Sequence, residues 1–140
     1  MDETYVYPWS AQEARRRDEL ALWRASHQAN VACKEAIETA VREHFDGAHL
    51  DEGCLDGVLR EFGYRRVQWV LANTLQQKDW DGRFSLANQT WATRFEIPQE
   101  ERHNSDFVVE SHPAVLDGLV TQYRRAHQAQ LEPRPGMTMG

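Results

Sequence analysis

Apolar positions recur at helical rather than strand spacing along most of the chain. Leu20, Trp23, Val31, Ile37, Val41 and Phe45 share one face of a continuous helical wheel, the recurrence that marks an amphipathic helix. His27, Asn30, Lys34 and Glu38 fall on that same face, and burial disfavours polar groups that lack partners. A break near residues 26–30 resolves the conflict. The second of two helices then buries Cys33, Ile37, Ala40, Val41 and His44, while Lys34 and Glu38 pair at its edge. The pattern leaves open whether this region is one helix or two. Its start is marked by Ser10-Ala11-Gln12-Glu13, a capping box in which Ser10 accepts from the backbone three residues on and Glu13 reaches back. Trp9, just before the cap, is placed as a hydrophobic staple.

Asp46-Gly47 closes this region. Leu50, Cys54, Val58, Leu59 and Phe62 then repeat at helical spacing up to a stop at Gly63. Tyr64, Val67, Val70, Leu71 and Leu75 predict the next helix, to about Gln77. Asp79-Trp80-Asp81-Gly82 is a turn signal. Ser85 caps a short helix carrying Leu86, Trp91 and Phe95, which Pro98 closes off. Residues 99–106 are polar and read as the longest loop. Ser111-His112-Pro113 opens a last helix through Val115, Leu116, Leu119, Val120 and Tyr123 to about Leu131, with Pro113 near its first position. Phe107-Val108-Val109 is the one strand-like run, and a lone strand makes no sheet. The expected fold is all-α, a compact bundle of about five or six short helices with at most a minor extended segment. The expected division is an N-terminal arm (1–9), a single helical domain (10–131) and a disordered tail (132–140).

Charge narrows the partners. With 22 acidic against 16 basic residues, the net charge is −6, whereas grip on a nucleic-acid backbone needs clustered Lys and Arg. Arg15-Arg16-Arg17, Arg65-Arg66 and Arg124-Arg125 are short runs beside acidic residues and read as solvated helix faces. Direct nucleic-acid binding is therefore not expected, while an acidic surface that docks on a basic partner is compatible with the balance. No apolar run reaches bilayer length, and Met1-Asp2-Glu3-Thr4 lacks the layout of a signal peptide. Cys33 and Cys54 do not resemble a secreted disulfide framework. These features predict a cytoplasmic protein with free thiols and no membrane partner.

Candidate chemistry is sparse. His44, His49 and Cys54 are spaced by fives, with Asp46 and Asp51 between them. Zinc accepts these ligand types, but no Cys-x-x-Cys or His-Glu-x-x-His pair accompanies them, so no metal or other cofactor is assigned. Asp79-Trp80-Asp81-Gly82 starts like a calcium loop and then fails, with Arg83 at the fifth position and the glycine two residues early. A tight turn explains it, with Trp80 and Phe84 packing beneath and the aspartates receiving backbone N–H groups. Its functional reading is a polar knob of Lys78, Asp79, Asp81 and Arg83 that touches a partner. Cys33, near Lys34 and His27, lies on an apolar face, where an inert thiol is the expected outcome. None of the eight glycines forms a phosphate-binding pattern.

Three stretches carry a resemblance. Ala29-Asn30-Val31-Ala32-Cys33-Lys34-Glu35-Ala36-Ile37 runs on into Arg42-Glu43-His44-Phe45-Asp46-Gly47. Val70-Leu71-Ala72-Asn73-Thr74 leads to Lys78-Asp79-Trp80-Asp81-Gly82-Arg83-Phe84-Ser85. The third is Asp106-Phe107-Val108-Val109 with Ser111-His112-Pro113-Ala114-Val115-Leu116-Asp117. Together, across most of residues 17 to 120, they resemble an uncharacterised bacterial domain-of-unknown-function family. That family is met on conjugative elements, plasmids and prophages of gut Gram-positive bacteria, sometimes within larger multi-domain proteins. The resemblance supplies no activity, substrate or catalytic residue. It implies a genetic setting in which small acidic helical proteins counter host defences.

Two functional classes follow. The first is a non-enzymatic protein-binding factor from a mobile genetic element, an anti-defence (anti-CRISPR-like) inhibitor that binds a host defence protein such as a CRISPR effector nuclease. Its contact residues would be Lys78, Trp80, Asp81 and Arg83. His27, Asn30, Lys34 and Glu38 form an internal polar row, read first as a hydrogen-bond network between helices. The alternative is a small metal-dependent or nucleic-acid-acting enzyme built around His27, Cys33, Lys34, His44 and His49.

Overall fold

A computed structural model describes residues 5–103 and 105–131. Among them are seven α-helices: α1 (Ala11–Arg16), α2 (Leu20–His44), α3 (Asp56–Phe62), α4 (Tyr64–Gln77), α5 (Leu86–Thr93), α6 (Gln99–Arg102) and α7 (Pro113–Leu131). A short 3-10 turn (Ser105–Phe107) precedes α7. The described residues form no sheet, and a single antiparallel bridge joins Phe45 to Leu50. None of their helices is long and apolar enough to cross a membrane. The expected tail, 132–140, lies outside the described residues, as do the first four residues of the expected arm.

The bundle is organised around α4, which packs against α2, α3, α5, α6 and α7. Val67, Val70, Leu71, Ala72 and Leu75 are buried around its circumference, together with the polar Arg66, Asn73 and Thr74. A helix apolar on several sides at once is one that other elements enclose. Ile37 from α2, Val58 and Leu59 from α3, and Leu116, Leu119, Val120 and Tyr123 from α7 complete the core around it.

The break expected near residues 26–30 does not occur. α2 is one helix of 25 residues, about 37 Å long at 1.5 Å per residue. The interruption falls earlier, at residues 17–19, where Asp18 takes a left-handed φ of 58°. Aspartate is among the few non-glycine residues that tolerate that conformation. The Glu19 amide then donates back to the Ala14 carbonyl at 2.8 Å, and α1 folds against α2. Ser10 caps α1 as expected, accepting the Glu13 amide at 3.2 Å. Glu13 does not reach back; its carboxylate takes Arg17 Nε at 3.1 Å. Arg17 in turn lies 3.6 Å over the Trp9 ring, so Trp9 holds the helix entry by a cation–π contact.

Two further boundaries differ. α3 begins only at Asp56, because residues 51–56 close as tight turns, with Cys54 N donating to Asp51 O and Asp56 N to Gly53 O. The polar stretch 99–106 contains the four-residue α6. Phe107, Val108 and Val109 are buried without a strand partner. The Val109 amide donates instead to Thr74 Oγ1 at 3.1 Å.

Candidate functional site

The polar row on α2 faces inward and is held from three directions. Arg66, on α4, is 2% exposed. Its Nη1 donates to Ser26 O at 3.0 Å and to Asn30 Oδ1, and its Nη2 donates to Tyr5 O. Burial lowers the pKa of this guanidinium, and no carboxylate among the described residues is bonded to it. Ser26 Oγ also accepts the Tyr7 amide at 3.0 Å, which ties the N-terminal arm to α2. Further along α2, Lys34 Nζ pairs with Glu38 Oε1 at 3.1 Å, and Glu38 Oε2 accepts the Glu110 amide at 2.8 Å. Asn30 therefore stitches α2 to α4, and His27 and Glu38 stitch it to the segment before α7, with Lys34 paired to Glu38 within α2. This is the arrangement buried polar groups need in order to be tolerated.

His27 borders a second cluster. Its ring stacks on Trp23, with centroids 4.8 Å apart, and meets Phe107 edge-on. His27 Nε2 lies 3.1 Å from Asp106 Oδ2. Trp23 Nε1 donates to Glu101 Oε1 at 3.0 Å. Tyr7, Trp9, Trp23, His27, Asn30, Trp69 and Glu101 enclose a cavity of about 10 Å³, room for one water-sized molecule and no substrate. His27 Nδ1 and Trp69 Nε1 are buried there without hydrogen-bond partners among the described residues. Burial raises the Glu101 pKa, against the opposing pull of the Trp23 hydrogen bond and of His27. Arg65-Arg66, read from the sequence as a solvated helix face, divides: Arg65 is exposed and Arg66 is buried, because Arg66 faces the polar row of α2. Glu101, within the stretch read as a polar loop, is buried as well.

The segment 78–86 is a pinned turn. Lys78 N donates to Thr74 O and Leu75 O, and Asp81 N donates to Lys78 O. Asp81 is 5% exposed. Its Oδ1 accepts Arg83 N and Nε, both at 3.0 Å, and its Oδ2 accepts Arg83 Nη2 at 2.9 Å. These bonds, with the side-chain bond foremost, hold the Asp81 carboxyl below its usual range. Asp81 is thus the lock of the turn, and its covered carboxylate is turned to Arg83 and the backbone. Trp80 was expected to pack beneath the turn with Phe84. Phe84 does so, but Trp80 is 72% exposed. Leu86, expected on the apolar face of α5, is 78% exposed, because α5 is anchored by other groups. Ser85 Oγ caps the Asn88 amide, and Asn88 Nδ2 donates to Asp117 O, Asp117 Oδ1 and Thr121 Oγ1 on α7. The turn therefore presents two large apolar side chains, with Lys78 partly exposed and Arg83 exposed beside them in sequence.

The metal candidates do not converge. His44 Nδ1 lies 3.3 Å from Asp51 Oδ2. The His49 amide is bound by Asp46 Oδ1 at 2.7 Å, in a turn that also takes the Ala48 amide. Cys54 is buried. No group of three or more His, Cys, Asp or Glu among the described residues is placed to hold a metal ion. Cys33 and Cys54 are free thiols, and burial pushes Cys33 up to about 12 and Cys54 up to about 11. A thiol so placed is a poor nucleophile at neutral pH.

A family model described as "Protein of unknown function (DUF3849)" matches residues 6–128, and the chain belongs to that family. No curated protein and no solved structure matches it.

Proposed function

We propose that this member of the DUF3849 family is a non-enzymatic protein-binding factor of bacterial mobile genetic elements. It acts in the cytoplasm as an anti-defence inhibitor that occupies the surface of an effector protein such as a CRISPR nuclease. The observation that carries the binding reading is Trp80, 72% exposed on a turn whose geometry is fixed by the Asp81–Arg83 bonds. Tryptophan and arginine are the side chains most enriched among residues that dominate binding energy. A pinned turn lowers the ordering cost of presenting them. The mobile-element setting comes from the sequence resemblance. The complementary partner surface is an apolar pocket for Trp80 bordered by acidic groups that meet Arg83 and Lys78.

The test is affinity measurement between the immobilised chain and a guide-loaded Cas9-type effector, by biolayer interferometry at near-physiological salt. Specific binding is expected. Trp80→Ala should weaken it at least tenfold, about 1.4 kcal/mol, with the thermal midpoint unchanged. Absence of binding, or binding that Trp80→Ala and Leu86→Ala leave untouched, refutes the proposal.

A further inference from the structure

The charge of this protein is concentrated in one stretch. Of 22 acidic and 16 basic residues, eight and two fall within residues 35–61, which leaves fourteen of each elsewhere. The whole net charge of −6 is therefore that of residues 35–61, which run from the last turns of α2 through the following turns into α3. The same stretch holds an open groove of about 460 Å³ between α2 and α3. Ala36, Ala40, Cys54, Gly57 and Val58 supply small, apolar lining. Glu43, Asp56 and Glu61 stand exposed among the lining residues. None of these three is in an ion pair with another described residue. The groove's own cationic groups are Arg60 and, when protonated, His44, which is already turned to Asp51.

Gly57 adds an independent argument. It lies inside α3 with an ordinary φ, and a Cβ built there meets nothing nearer than the Arg60 side chain at 3.9 Å. No contact among the described residues requires glycine at this position, although glycine in a helix costs up to about 1 kcal/mol relative to alanine. What glycine does provide is a groove wall that another backbone can approach closely. Small lining residues flanked by unpaired carboxylates fit a helix with one apolar face and Lys or Arg along its borders.

We infer that the α2–α3 groove is a docking site for a basic amphipathic helix of a partner protein. The groove uses none of the residues of the Trp80 turn, so it stands or falls separately from the proposal above. The test uses the full chain and a fluorescent helix-forming peptide of about five turns, about 18 residues, with Leu and Ala on one face and Lys and Arg on the other. A shuffled peptide of the same composition, without an apolar face, is the control. Anisotropy at near-physiological salt should show the amphipathic peptide binding at least tenfold more tightly than the shuffled one. Gly57→Leu, which adds bulk where the chain leaves open space, should weaken binding at least tenfold without lowering the thermal midpoint. Glu43→Lys with Glu61→Lys should do the same, and Trp80→Ala should change nothing. Equal binding of both peptides, no binding, or indifference to Gly57→Leu overturns the inference.

Discussion

Arg66 offers the sharpest check on how this bundle is held together. Replacing it with methionine keeps much of its length and removes both the charge and its donors. Asn30 Oδ1 and Tyr5 O then lose the donor that reaches them, as does Ser26 O, which lies inside the hydrogen-bonded ladder of α2, while Ser26 Oγ keeps the Tyr7 amide. Each stranded acceptor costs about 1–3 kcal/mol. Part of that loss is recovered because a guanidinium is no longer held out of water. The net destabilisation expected for Arg66→Met is about 2–4 kcal/mol. Asn30→Leu acts from the other side, leaving a guanidinium N–H against hydrocarbon, with a similar cost. The double substitution removes donor and acceptor together, so its cost should fall short of the sum of the singles by at least about 1.5 kcal/mol. Urea unfolding followed by far-UV circular dichroism measures all four corners of this cycle. For a chain of this length each single change should also lower the thermal midpoint by roughly 8–16 °C. Additivity within about 0.5 kcal/mol, or a stabilising Arg66→Met, would refute the claim that the two side chains depend on each other.

Asp81 has a folded pKa below its ordinary 3.8, so its contribution to the turn is present above that value and is lost only as pH falls through the lower one. A carboxyl-carbon NMR titration should place its midpoint below 3.8, and Arg83→Gln should move it upward; a midpoint at or above the ordinary value counts against the lock. Glu101 has the opposite sign: its folded pKa is raised above 4.5, so the stability it confers is full below that value and declines as pH rises through the raised one. Glu101→Gln keeps an acceptor for Trp23 Nε1 and should raise the thermal midpoint at neutral pH while flattening its decline from mildly acidic pH; a lower midpoint contradicts this. Cys33 and Cys54 should resist a thiol reagent in the native protein at mildly alkaline pH and react fully in denaturant, and rapid native labelling would show that burial does not protect them. Asp18→Gly relieves the left-handed φ of 58° and should add about 0.5 kcal/mol of stability, read as a higher urea midpoint; a lower midpoint would mean that the Asp18 side chain itself supports the junction.

The elements legible in the sequence are those where local and global signals agree. α4 and α7 begin and end where their apolar periodicity and flanking Gly63 and Pro113 place them. Ser10 and Ser85 both cap as their positions suggest. α2 was harder to read because its polar stripe conflicts with burial unless partners are supplied from elsewhere. Those partners lie far along the chain. Arg66 is 36 residues from Asn30, and the Glu110 amide that Glu38 accepts is 72 away. No window of helical length contains both halves of such a pair. The turn at residue 18 was missed for a different reason: Arg15-Arg16-Arg17-Asp18-Glu19 carries no glycine or proline, and its break rests on the tolerance of one aspartate for a left-handed backbone.

The same distinction governs what the candidate sites can mean. Asp81 and Trp80 are neighbours with opposite fates, one covered by Arg83 and the other left in solvent. Their exposure was illegible because the turn motif specifies backbone bonds and not which large side chain lies beneath. Carboxylates divide likewise. Asp46, Asp81 and Asp117 are committed to backbone amides or to side chains within the chain. Glu43, Asp56 and Glu61 have no such engagement among the described residues and border a groove whose lining holds one arginine, Arg60. Charged groups that a fold leaves unpaired beside apolar surface are the ones through which a partner gains specificity, since pairing them requires no existing bond to break. On that argument α2 divides the labour around its circumference: Ser26, Asn30 and Ile37 bind it to the rest of the protein, and Ala36 and Glu43 line the groove proposed for another molecule.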